Sequence, residues 1–277
     1  MINDAVSLNP YPEDTYTTPS EAALPISSFF PNISFYWRMC GILKKASDQG
    51  KQGLLDSDNW MRASISIREA LEKCGTKFHI EGIEHFKNLN GPCVFVGNHM
   101  STLETFILPG VIRPFRPFTF VVKEGLLRYP VFQHVMRARE PIVVERKDAR
   151  ADFTAVMKGG VENLENGISV LIFPQSTRRL TLDRQHFNSM GIKLAKKADI
   201  PVVPIALRTD AWGMGGLFGL LKDHGAIRPQ IPVNIRFGAP LCIQGNGKAE
   251  HEAVYAFIEN SLAEWGLEPE TPKELPQ

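Results

Sequence analysis

With 277 residues, 43% hydrophobic and 22% charged, the chain is long enough for one large α/β domain plus a small appendage, and too apolar to be disordered throughout. A net charge of +1 excludes a uniformly basic or acidic protein, yet the charges are unevenly placed. Residues 113 to 150 hold nine bases against four acids and residues 178 to 197 six against one, whereas residues 248 to 277 hold seven acids against two bases. Such a local basic excess suits an anionic ligand or surface, or is a solvated charged face.

Residues 1 to 24 are acidic, polar and Pro-containing, with four acids and no Lys or Arg. They lack the profile of a signal peptide and are expected to be disordered, in a cytoplasmic protein. "LPISSFFPNISFYWRMCGIL" follows, interrupted by Pro31, Asn32 and Arg38, and short of the roughly 18 clean apolar residues a spanning helix needs. Its aromatic residues Phe29, Phe30, Phe35, Tyr36 and Trp37 run into Lys44-Lys45. That pattern fits a helix lying among lipid headgroups, or one simply packed on the main domain. A second helix is marked by Asp58 as cap, by Trp60, Ser64, Ile67 and Leu71 at helical spacing, and by Gly75 as terminator. Residues 25 to 76 are therefore expected to form a two-helix N-terminal extension.

From residue 77 the pattern changes. The β-rich runs "KFHIEGI", "CVFVGN", "FTFVV", "PIVVER", "SVLIFP", "VVPIAL" and "VNIRFG" are separated by helical stretches near 102 to 110, 130 to 138, 149 to 165, 186 to 198 and 250 to 265. Alternation of this kind predicts an α/β domain over residues 77 to 267, with a mixed, largely parallel sheet flanked by helices on both faces. Residues 268 to 277 read as a flexible tail. The cysteines, Cys40, Cys74, Cys93 and Cys242, are scattered without a C-x-x-C pair and read as reduced thiols.

In a parallel sheet, ligands sit beyond the carboxyl ends of the strands. That rule selects Asn98-His99, Glu145-Arg146 and the "PQSTRR" segment. A neutral imidazole at residue 99 has a reference pKa of about 6.5, suited to taking a proton from a hydroxyl, and works best when a carboxylate holds its other nitrogen. Glu104 is the nearest carboxylate, but Ser101-Thr-Leu-Glu104 is also a capping box, so two roles are open to it. Thr177 and Arg178 suit a phosphate, as does Arg146, although a solvated basic loop or pairing with Glu145 or Asp148 explains them too. There is no G-x-S-x-G elbow, Walker A loop or H-E-x-x-H, and the seven histidines are dispersed. "GMGGLFG", residues 213 to 219, lacks the dinucleotide spacing; beside Trp212 it reads as a mobile apolar loop.

Taken together, four blocks in order resemble the glycerolipid acyltransferase family, the PlsC-like or lysophosphatidic acid acyltransferase-like proteins, across roughly residues 77 to 243. "NHMSTLE" looks like N-H-x-x-x-x-D, with Glu104 in place of Asp. "VVKEGLLRYPVFQHVMRAREPIVVER" is similar to the second block, with Lys123 near its start and Arg146 at its end. "FPQSTRR" looks like F-P-E-G-T-R-S, with Gln175 for Glu and Ser176 for Gly, and "IPVVPIAL" resembles the closing apolar block. A Gly that usually follows the third block is displaced by one, leaving Met190 in its place.

The resemblance implies transfer of a fatty acyl group from a thioester, on coenzyme A or acyl carrier protein, to a hydroxyl of a lysophospholipid-like acceptor. His99 would be the base and Glu104 its orienting carboxylate. Arg146, Arg178, Thr177, Gln175, Ser176 and, more distantly, Lys123 would bind the acceptor, and helix-start amides beyond His99 would stabilise the oxyanion. It implies no metal or resident cofactor, no nucleic-acid partner, and peripheral association with the inner face of a membrane through the N-terminal helices. Two other readings stay open: a lipid-binding protein of the same fold without turnover, and a thioester hydrolase.

Overall fold

Each of the seven β-rich runs supplies a strand, and an eighth, in a segment expected to be disordered, joins them at the edge. The computed structural model describes residues 10–128, 141–175, 177–216 and 224–267. Among these, one sheet is built from β1 (Tyr16–Thr17), β2 (Phe78–Glu81), β3 (Val94–Gly97), β4 (Phe118–Lys123), β5 (Ile142–Val144), β6 (Ser169–Ile172), β7 (Val202–Arg208) and β8 (Val233–Phe237), in the order β1-β2-β8-β7-β3-β6-β4-β5. Strands β7, β3, β6, β4 and β5 are mutually parallel. β8 runs antiparallel to β7 and parallel to β2, which pairs antiparallel with β1. The sheet is mixed and largely parallel, as the alternation predicts. β3 and β6 are buried at every residue, which is why their sequences are unbroken apolar runs.

The helices are α1 (Pro25–Phe29), α2 (Pro31–Lys51), α3 (Ser57–Lys73), α4 (Glu84–Lys87), α5 (Leu103–Ile112), α6 (Ala149–Glu165), α7 (Met190–Ala198) and α8 (Lys248–Glu264). Because side chains alternate across a strand, Phe95 joins the cluster made with α2, α3 and α5. Its neighbours Val94 and Val96 join the opposite cluster with α6, α7 and α8. Gly191 stands where α7 lies on β3: a Cβ there would come within 2.5 Å of Val96 Cγ2, so the displaced glycine permits the helix to reach the strand. The expected helix near 130 to 138 and the tail from 268 lie outside the described residues.

Three N-terminal expectations need correction. Residues 25 to 76 hold three α-helices rather than two, because Pro31 occupies the first turn of α2 and its ring cannot continue α1. The cap of α3 is Asp56, whose carboxylate accepts from the Asn59 amide at 2.7 Å; Asp58 sits in the first turn instead. Residues 10 to 24 are folded, not disordered. Tyr16 and Thr17 pair with Ile80 and His79. The Arg68 guanidinium donates to the Tyr11 hydroxyl at 3.0 Å, and Glu72 accepts from Tyr16 and Thr18, each at 2.7 Å. The average polarity of this segment conceals that its few anchors meet a buried Arg–Glu pair on α3.

Helix α5 carries Glu104, and its contact with α3 fixes it. Pro109 inside α5 has no N–H to give to the preceding turn. Ser64 on α3 braces the helix next to it: its hydroxyl faces the Phe106 and Ile107 carbonyls at 2.5 and 3.0 Å and accepts from the Gly110 amide at 2.7 Å. A Cβ on residue 110 would press on Ser64 and the Ile65 amide, so glycine lets the two helices touch. Ser64→Ala leaves those buried backbone groups unpaired and is expected to cost about 2 kcal/mol in chemical denaturation.

Candidate active site

Strand β3 stops at Gly97, and the next side chain continues its pairing. Asn98 Nδ2 donates to the Leu207 carbonyl at 2.8 Å while Oδ1 accepts from the Leu207 amide at 2.9 Å. With the side chain satisfying β7, the main chain is released to turn into α5. The His99 amide donates to Gln175 Oε1 at 2.9 Å and its carbonyl accepts from the Arg179 amide at 2.8 Å, so the loop after β6 clamps residue 99 from both sides. The imidazole stacks on Phe173 with ring centroids 4.4 Å apart and keeps 16% of its surface open to solvent.

Glu104 serves both of the roles open to it. Oε2 lies 2.6 Å from His99 Nδ1. Oε1 accepts from the Met100 and Ser101 amides, each at 2.9 Å, and from the Thr209 hydroxyl. The residue is fully buried, so its charge depends on these four donors. With the Nδ1 proton directed at the carboxylate, Nε2 carries the imidazole lone pair. The extra methylene relative to Asp is accommodated by this cradle. Three of the amides expected as oxyanion donors have other partners: those of Met100 and Ser101 donate to Glu104, and that of Leu103 to Ser101 Oγ at 3.1 Å.

The acceptor-binding candidates separate. Gln175 is fully buried, and its Nε2 donates to the Thr181 carbonyl at 3.1 Å while Oε1 holds His99. It is part of the scaffold, not a ligand contact, because both ends of its amide are already used. Ser176 lies outside the described residues. Thr177 is exposed beside it, and Arg178, half-buried, donates to Thr102 Oγ1 at the start of α5, which brings its guanidinium to the His99 turn.

Lys123 ends β4 and Arg146 follows β5, both exposed on the same sheet edge. In the strand order they stand two and three strands from β3, about 10 and 14 Å at the usual spacing of about 4.8 Å. Arg146 has φ of 61°, an unfavourable conformation for a non-glycine residue, held by Asp152, whose carboxylate accepts from the Glu145 and Arg146 amides at 2.9 Å. Partial desolvation pulls the Arg146 pKa below its ordinary value, with Asp152 opposing.

Two features escape sequence reading. Thr209 is separated from Glu104 by 105 residues and belongs to no motif. Trp212, next to the segment read as a mobile loop, is buried against Phe35 and stacked on Phe106. Its indole donates to the Tyr36 hydroxyl at 3.0 Å, which donates to the Gly225 carbonyl at 2.6 Å, and burial pushes the Tyr36 pKa up to about 12. Helix α2 thereby pins both ends of this loop, whose residues 217–223 lie outside the described set.

With a His–Glu pair at the end of a central strand of this largely parallel sheet, residues 77–208 match the family model described as Acyltransferase. The chain is similar to the 1-acyl-sn-glycerol-3-phosphate acyltransferase of Pseudomonas aeruginosa, 34% identical over 148 residues that cover 53% of this chain and 55% of that protein. It is also similar to the chloroplastic 1-acyl-sn-glycerol-3-phosphate acyltransferase LPAT1 of Arabidopsis thaliana, 30% identical over 175 residues, 62% of this chain and 48% of that one. It thus spans about half the length of these curated relatives. Its fold matches the crystal structure of the 1-acyl-sn-glycerophosphate (LPA) acyltransferase PlsC from Thermotoga maritima, with a TM-score of 0.63 over 91% of this chain and 99% of that chain, at 16% identity.

If Gln175 is scaffold, Gln175→Ala strands the His99 amide and the Thr181 carbonyl. A loss of about 2 kcal/mol in denaturant titration is expected.

Proposed function

We propose that the protein is an O-acyltransferase that moves a fatty acyl group from acyl-CoA or acyl carrier protein to a hydroxyl of a lysophospholipid-like acceptor of the 1-acylglycerol-3-phosphate type. The observation that carries this reading is the 2.6 Å contact between His99 Nδ1 and a buried Glu104 whose other oxygen is filled by backbone amides. The similarity to 1-acyl-sn-glycerol-3-phosphate acyltransferases supports the acceptor class.

In this reaction His99 Nε2 takes the proton from the acceptor hydroxyl as its oxygen attacks the thioester carbonyl. Glu104 stabilises the imidazolium so formed. Collapse of the tetrahedral intermediate breaks the carbon–sulfur bond, and the departing thiolate takes the proton back from His99. No acyl-enzyme is formed. Arg178, beside the His99 turn, and Arg146, further along the sheet edge, bind the acceptor phosphate with Thr177 and Lys123 assisting.

The N-terminal helices dock the enzyme on the leaflet that holds the acceptor, at the inner face of the membrane. Helix α2 buries Phe35 and Met39 on one side and exposes Ile33 and Trp37, the latter 83% accessible, on the other. Ile26, Phe29 and Phe30 extend this apolar surface, and Lys44 and Lys45 are exposed behind it. Among the described residues no helix is long and apolar enough to cross a membrane.

Purified protein is to be incubated with acyl-CoA and acyl carrier protein donors against a panel of lysolipids, with products identified by mass. Esterified lipid from a phosphate-bearing acceptor is expected; free fatty acid alone would make the protein a hydrolase, and lysolipid binding without turnover a carrier. In Glu104→Gln the Met100 and Ser101 amides retain the amide oxygen, so the NH₂ group faces Nδ1 and forces the tautomer that has no lone pair at Nε2. A rate loss of about 10³–10⁴-fold at nearly unchanged stability is expected. Replacing Phe29 and Trp37 together with Ser removes two side chains each worth about 1.5–3 kcal/mol on burial. Vesicle co-sedimentation is expected to fall by at least about tenfold, with turnover of detergent-dispersed acceptor retained.

A further inference from the structure

We infer that Thr209 is a positioning residue of the His99–Glu104 pair, tying the carboxylate to strand β7 and thereby setting how firmly it holds the imidazole. This rests on the reading of His99 as the base. Thr209 is fully buried, so it meets no substrate and acts only through Glu104.

The donors to Glu104 differ in origin. His99 Nδ1 and the Met100 and Ser101 amides all belong to the short turn that leads into α5 and carries Glu104 itself. Thr209 Oγ1 comes from the end of β7, two residues beyond Leu207. Leu207 is the residue locked to Asn98 by paired bonds of 2.8 and 2.9 Å, so the end of β7 has a fixed relation to the start of the His99 turn. Ser101 Oγ lies 3.0 Å from both the carbonyl and the hydroxyl of Thr209, and donates between them. Its share to Oγ1 directs the Thr209 proton toward Glu104, and a chain of hydroxyls that ends on a carboxylate strengthens each link.

The length of Glu104 gives this tether a task. Compared with Asp, Glu has one more rotatable bond, and that freedom has to be removed if Oε2 is to stay on Nδ1. Two amides from the turn hold Oε1 to the turn alone. The Thr209 hydroxyl ties the carboxylate itself to the end of β7. Without it, the carboxylate is less fixed, its bond to Nδ1 weakens, and the imidazolium is less stabilised.

The test compares Thr209→Val, which keeps the shape and removes the hydroxyl, with Thr209→Ser, which keeps the hydroxyl, in the full chain. The first readout is the titration of the His99 imidazole followed by nuclear magnetic resonance, which does not depend on any turnover. In Thr209→Val the titration is expected to move to lower pH, and in Thr209→Ser to stay near wild type. The second readout is acyl transfer: kcat is expected to fall about ten- to hundredfold in Thr209→Val, as for other partners that orient a working histidine. KM for the acceptor is expected to stay within about twofold, since no substrate contact is touched.

A His99 titration that is unmoved or moves up in Thr209→Val overturns the inference, as does a Thr209→Ser variant that behaves like Val. If Thr209→Val does not fold, Thr209→Ala removes the hydroxyl without adding an apolar atom and is read in the same way. Absence of transfer by the wild-type chain would sink the proposed function alone, because the titration still reports whether Thr209 sets the His99–Glu104 bond.

Discussion

A carboxylate shut away from water is stable only when donors surround it, and Glu104 imposes that demand at the point where β3 gives way to α5. Four groups meet it: two amides of the turn, the Thr209 hydroxyl and the His99 ring. Satisfying the charge and orienting the histidine are therefore one arrangement. The same need accounts for the neighbours: Asn98 holds the two strand ends at the right separation, and Gln175 and Arg179 hold the main chain of residue 99.

The surrounding fold keeps that turn from moving. Ser64 bonds the main chain of α5 on either side of Pro109, so the helix that carries Glu104 is braced against α3. Phe106, two residues beyond Glu104, stacks on Trp212, which packs on Phe35 and bonds Tyr36 of α2. The opposite side of α2 carries the exposed Ile33 and Trp37. Between the exposed face of α2 and the helix that carries Glu104, the rings of Phe35, Tyr36, Trp212 and Phe106 thus form one stack. A helix with one face in this stack and the other bare has a geometric reason for both.

Much of the domain was legible because its signals are local. Unbroken apolar runs become strands buried on both faces, and helices 149 to 165 and 250 to 265 lie where their periodicity sets them, within two residues. His99 and Glu104 were readable because five residues and one turn suffice to bring them together. Residues 10 to 24 were misread because a few buried anchors, Tyr11, Tyr16 and Thr18, outweigh an acidic average once Arg68 and Glu72 are in place. Gln175 looked like a ligand contact because its block did, but packing directs its amide inward.

By itself the sequence determined which residues follow the carboxyl ends of the strands, since a parallel sheet leaves that edge open and places His99, Arg146 and the residues after Phe173 there. It also determined the pairing of His99 with Glu104, whose partners lie within one turn. Only the tertiary structure decided which of those residues stand together and which are strands apart, and that Thr209, distant along the chain, completes the site. Strand order decides such neighbours: β7 and β6 lie on either side of β3 although each is far from it in sequence, and no local pattern encodes that adjacency.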